Sequence, residues 1–179
     1  MNSDFYQKNK LLITFGFALL VLAHLIFEYF HGGVVTHYLL QDDSLPGLSN
    51  WLGLITLPIV VWVTLLRIDK RKGSSEHNER NGSVILYRFI TSVLFGVLVS
   101  YLFSIESSFL DYMMLSLFVL SLFIPLYFGE FLVGFTVGTM YVFGANIPII
   151  GGLVLLLILF VLYRLPRFVY RFVQSKIRR

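Results

Sequence analysis

The chain has 179 residues, 57% of them hydrophobic and 13% charged, with a mean hydropathy of +0.80. A soluble domain is nearer half apolar and a quarter charged, so this composition excludes an ordinary water-soluble fold and asks for a bilayer as solvent. The net charge of +4 is carried without a single cysteine, which excludes structural disulfides, thiolate metal sites, iron–sulfur clusters and thioether-linked haem.

Lys8 and Lys10 precede the first apolar run, residues 11–30. A helix of that length crosses a hydrocarbon core of ~30 Å. No A-x-A-like cleavage site follows it, so it reads as a retained transmembrane helix rather than a signal peptide. Gly32-Gly33 then closes the helix, and a loop follows to Asn50 with a turn at Pro46-Gly47. Ser49 or Asn50 is placed to cap the second span, 51–68, which contains Pro58. The stretch 69–83 is polar and without periodicity, the pattern of a solvated linker. Four further apolar segments follow: 84–105, 109–128 with Pro125 inside it, 131–147 and 148–165. Residues 166–179 form a basic tail.

Basic residues set the orientation of such a chain. In a six-span arrangement all fourteen fall on one side: two before the first span, six around the second-to-third link and six after the last span. The opposite side carries Asp42, Asp43, Glu106 and Asp111 and no basic residue. The expected fold is therefore an all-α integral membrane protein. One domain, 1–165, is a bundle of about six transmembrane helices with both termini cytoplasmic, set in the plasma or inner membrane. The tail is expected as an interfacial amphipathic helix, with Arg167, Arg171 and Arg178 towards anionic lipid headgroups and Phe168, Val169, Phe172 and Val173 on the other side. The basic groups do no more than orientation requires, so no nucleic-acid partner is expected. Gly134 and Gly138 share one face of the fifth span and allow a close helix approach, within the monomer or in a homo-oligomer. Glu130, one turn before them, reads as a helix N-terminal acid with no second charge at its depth.

The residues with chemistry gather at the far end of the first helix. His24, Glu28 and His31 are four and three apart and share a helical face, with His37, Asp42 and Asp43 in the loop beyond. Ionisable groups in a span are expensive and are functional candidates by default. Glu-x-x-His is a ligand pair used in helical bundles, so His24, Glu28, His31 and His37 form a candidate site for one divalent metal, zinc, manganese or iron. In a hydrolytic version Asp111 or Asp42 would act as the catalytic base on a substrate reaching the outer leaflet. The other reading is a small transporter, channel or accessory subunit in which the same cluster handles protons or cations, or in which Glu28 is simply held by a histidine of its own helix. Serine-nucleophile and phosphate-loop motifs are absent from the sequence.

Overall fold

The computed structural model describes residues 4–38, 42, 44, 46–72 and 78–177. A short helix α1 (Asp4–Lys8) leads into α2 (Lys10–Phe30). The end of α2 is fixed by its own backbone: the N–H groups of His31 and Gly33 both donate to Glu28 O at 3.0 Å. Gly32 and Gly33 have φ of 122° and 102°, left-handed values that glycine adopts without a Cβ penalty.

Beyond this stop the chain forms a small antiparallel hairpin, β1 (Thr36–Tyr38) with β2 (Gly47–Ser49), in which Thr36 faces Ser49 and Tyr38 faces Gly47. A single 3-10 turn, Asn50–Leu52, then starts α3 (Gly53–Lys72). The remaining helices are α4 (Asn78–Ser104), α5 (Phe109–Ser121), α6 (Gly129–Phe143) and α7 (Asn146–Ile177).

Among the described residues the fold is all-α apart from that hairpin. Four stretches, Lys10–Phe30, Asn50–Arg71, Gly82–Ser104 and Asn146–Lys176, are long and apolar enough to cross a bilayer, which fits an integral membrane protein. The surface agrees: Leu11, Phe15, Leu94 and Leu157 all stand more than half exposed, an arrangement that lipid accepts and water penalises.

Three boundaries differ from the sequence expectation. The segment expected to span 109–128 is helical only to Ser121. Pro125 lacks an N–H and turns the residue before it away from helical geometry, so the chain runs on irregularly to Phe128. The break between the last two apolar segments falls at Gly144 and Ala145 rather than before Pro148, which sits in the first turn of α7, where its missing donor costs nothing. The separate interfacial helix expected over 166–179 does not appear as such. Instead α7 runs unbroken through Pro166 to Ile177, since proline removes one helical bond but keeps a helical φ.

The core is built where α2, α3 and α6 meet, around Val21, Leu25, Leu57, Val61, Leu65 and Val133. The closest helix pair is α4 with α6. A Cβ on Gly134 would collide with Phe89 O and the Ser92 side chain, and one on Gly138 with Val93 O. Backbone approach of this kind is how helices associate where lipid offers no hydrophobic drive between them. Ser100 Oγ crosses the seam to donate to Gly138 O at 3.3 Å.

From α2 onward successive helices run in alternate directions, which leaves the molecule with two ends. The hairpin end holds the hairpin, the C-terminus of α2 and the starts of α3 and α7, and Asn146 ties α7 to the hairpin and to α3. Its Nδ2 donates to Ser49 O at 3.0 Å, and its Oδ1 accepts from Thr56 Oγ1 at 2.8 Å. The other, basic end holds α1, the end of α3, the start of α4 and the start of α6. There Tyr6 donates to Gly82 O at 3.3 Å, and Lys10 pairs with Asp69.

Candidate functional site

Glu28 lies in the last turn of α2, four residues after His24, so helical spacing alone sets the two side chains one above the other. His24 Nε2 lies 3.2 Å from Glu28 Oε1, and each side chain is only 9% exposed. That approach is off hydrogen-bond direction: His24 Nε2 is buried without a hydrogen-bond partner. The same Glu28 oxygen accepts from Asn50 Nδ2 at 2.6 Å, a charge-assisted bond reaching from the foot of the hairpin to the rim of α2. The second oxygen, Oε2, accepts from Val35 N at 3.4 Å.

Asn50 is the hub. It is 2% exposed, its backbone N–H donates to Val35 O at 3.0 Å, and its Nδ2 also lies 3.5 Å from His37 Nε2. Its Oδ1 is buried without a partner. Gly144, at φ 64°, packs directly against that amide, and any side chain there would drive into Asn50 Oδ1. The hairpin thus delivers His37 and Asn50 onto a helix that already carries His24 and Glu28. Burial pushes the His37 imidazole below its ordinary 6.5, the Glu28 carboxylate pulls it back up, and His24 adds a further downward push.

The other expected members lie elsewhere. His31 turns back along its own helix, with Nδ1 2.8 Å from Phe27 O and its ring stacked on Phe27 at 4.0 Å between centroids. The Glu28–His31 ligand pair is therefore not formed. Asp42 is exposed and accepts from Ser44 N at 2.9 Å and Ser44 Oγ at 2.6 Å, a local turn that holds the pKa of its carboxyl below the usual range. Asp111 is exposed in the first turn of α5, beside a depression it shares with Glu106, Ser107 and Val142. Neither aspartate touches His24, Glu28 or His37. Asp43 and Arg178 lie outside the described residues. Among the described residues no group of three or more His, Asp or Glu side chains is arranged to hold a metal ion. The Glu28 oxygen that would join such a set is already taken by the Asn50 amide.

A second polar cluster closes the basic end. Glu130, 3% exposed at the start of α6, accepts from Arg71 Nη2 at 2.6 Å, and Arg88 Nη1 lies 3.7 Å away. Both guanidinium groups sit over the Phe128 ring, at 4.6 and 4.0 Å from its centroid. The expectation of no second charge near Glu130 is corrected by this geometry. Arg71 and Arg88 lie far from Glu130 in sequence, and only the packing of α3 and α4 against α6 brings them in.

Sequence spacing identified His24 with Glu28, and it missed Asn50 and Asn146. An uncharged amide at the start of a helix carries no signal until the hairpin it meets has formed. Comparison with protein-family models, curated proteins and solved structures finds no match.

Proposed function

We propose that the protein is an integral membrane protein of the plasma or inner membrane with its basic end in the cytoplasm. In this reading the His24–Glu28–Asn50–His37 cluster is a proton-uptake site at the outer face, as in a small proton-handling transporter or accessory subunit. The carrying observation is the buried His24 Nε2, 3.2 Å from Glu28 Oε1 and without a hydrogen-bond partner. A buried polar atom left unpaired is costly and calls for a reason, and a working role is one such reason. A proton on His24 forms a neutral pair with the adjacent carboxylate, so uptake leaves no unbalanced charge in the low-dielectric rim.

Glu28 is shared between that histidine and the Asn50 amide. Proton uptake on α2 therefore competes for the same oxygen that holds the hairpin, which couples the charge of the site to the position of the loop. The orientation rests on the basic residues, which among the described residues fall at the end opposite the hairpin. Neither His31 nor the two aspartates joins this cluster, which leaves His37 as the histidine that could complete a metal set with His24 and Glu28.

The test is a 15N NMR titration of the whole chain, labelled at histidine and asparagine, in lipid nanodiscs from about pH 8 to about pH 5, where imidazoles change charge. In the wild type the His24 ring is expected to titrate with a coupled shift of the Asn50 amide, and Glu28→Gln is expected to abolish the coupling. A His24 ring that stays invariant over the range overturns the proposal. So does stoichiometric retention of zinc with coordination shifts at both His24 and His37, which would establish a metal centre instead.

A further inference from the structure

Between α4, α5, α6 and α7 lies a cleft of about 250 Å³. Its walls are almost wholly apolar, with Leu117, Leu120, Leu126, Phe131, Leu155 and Leu159 among the residues that line it. It exists because α5 stops at Ser121, so the irregular stretch that follows leaves unfilled a lane that a full-length helix would occupy. The cleft runs towards the basic end, where Leu126 and Leu159 give way to their chain neighbours Tyr127 and Phe160 and a second, wider depression begins.

That depression has a different chemistry. Arg164, Arg167 and Arg171 of α7, spaced three and four residues apart, line one helical face beside it. Tyr127 braces the face, with its ring 5.1 Å from Phe160 and 5.5 Å from Tyr163 between centroids. Arg167 is fixed over the Tyr163 ring at 3.6 Å. It donates to Tyr163 O at 2.6 Å and to Phe123 O at 3.5 Å, so one guanidinium fastens α7 to the unwound end of α5. Among the described residues none of the three arginines is paired with a carboxylate. Three cations side by side repel one another, and an arrangement of aromatic supports that holds them together calls for an anion.

We propose that this is a binding site for one anionic phospholipid per chain. Its phosphate lies against Arg164, Arg167 and Arg171, and an acyl chain lies in the cleft between α5 and α7. The dimensions agree. Leu156 and Arg167 are eleven residues apart on one continuous helix, roughly 16 Å at 1.5 Å per residue, which is the hydrocarbon depth of a single leaflet. The lipid supplies the apolar packing that the truncated α5 does not. This goes beyond charge attraction to a membrane surface, because the cleft and the arginines must act together.

Native mass spectrometry of the full chain in detergent, with phosphatidylglycerol or phosphatidylcholine of identical chains added, tests the site. One phosphatidylglycerol is expected to be retained per chain and phosphatidylcholine lost. The triple variant Arg164→Gln, Arg167→Gln, Arg171→Gln should weaken retention about a hundredfold, at about a tenfold factor or less per cation. Leu156→Trp, or Leu120→Trp from the opposite wall, keeps every charge but narrows the cleft. Displacing two methylenes should weaken retention about tenfold. Melting curves of each variant in the same detergent identify any that fail to fold, and the two tryptophan variants fill the cleft from different helices. Equal retention of both lipids overturns the proposal, as does wild-type retention in both tryptophan variants. So does equal binding of a dihexanoyl phosphatidylglycerol too short to reach the cleft.

Discussion

At the scale of single residues, His37 is the group whose surroundings give the plainest pH dependence. Burial holds its imidazole below 6.5 in the folded protein, against the opposing pull of Glu28. Above about pH 6.5 the ring is neutral whether the chain is folded or not, and it costs nothing. As pH falls below that value the unfolded form takes a proton first. Stability is then lost until the folded pKa is passed, after which the loss stays constant. The hairpin end is therefore expected to be less stable at about pH 5 than at about pH 7.5. His37→Gln should reduce that difference, and hydrogen exchange of the Val35 and Asn50 amides at the two pH values measures it. Asp42, whose carboxyl is lowered by Ser44, titrates in a more acid window and does not confuse the reading. An unchanged difference in His37→Gln would assign the effect to another group. His37 itself was visible in the sequence as a loop histidine. Its burial was not, because burial depends on β1 closing against β2, and strands of three residues are too short to show alternation.

At the scale of elements, the long helices were legible because an unbroken apolar run reports its own length, and the lipid-facing runs of α2 and α7 are unbroken. The Gly134–Gly138 face was legible as a packing surface but not its partner, since Gly96 is one small residue within an otherwise ordinary span. In the structure Gly96 and Gly138 meet across the α4–α6 seam, where a Cβ on either would lie 3.0 or 2.9 Å from the other's Cα. Gly138→Leu is accordingly expected to force the seam apart and to cost about 1–3 kcal/mol or more, as overpacking of a tight contact does. Gly151→Ala, where an added Cβ meets nothing within 4 Å, is expected to be neutral or stabilising by up to about 1 kcal/mol. Thermal unfolding of the two variants in one detergent separates them. A Gly138→Leu protein as stable as Gly151→Ala would mean that the seam is looser than the backbone positions imply. The shortened α5 teaches the opposite lesson. Its apolar run was long enough for a span, but composition cannot tell a helical apolar residue from one in an irregular stretch, and only Pro125 marked the difference.

At the scale of the whole molecule, two polar clusters stand at opposite ends of one apolar column formed by Val21, Leu25, Leu57, Val61 and Leu65. At the basic end Glu130 lies between Arg71 and Arg88, and Asp69 lies beside Lys10. Among the described residues the hairpin end has acids and imidazoles and no lysine or arginine. Carrying a basic side chain across hydrocarbon costs several kcal/mol, so this asymmetry predicts which end stays inside. The absence of cysteine from the chain allows a clean measurement, because an introduced thiol is the only one present. Ser44 and Ser175 are both exposed and lie at opposite ends. A membrane-impermeant maleimide applied to intact cells is expected to label Ser44→Cys and to leave Ser175→Cys unreacted until the cells are lysed. The reverse pattern would turn the His24–Glu28 cluster towards the cytoplasm, where no proton could be taken up from outside, while leaving its internal geometry untouched. The placement of the site and the chemistry of the site are thus separate claims. The first stands on where fourteen cations sit in the sequence; the second stands on one carboxylate oxygen shared between a helix and a hairpin.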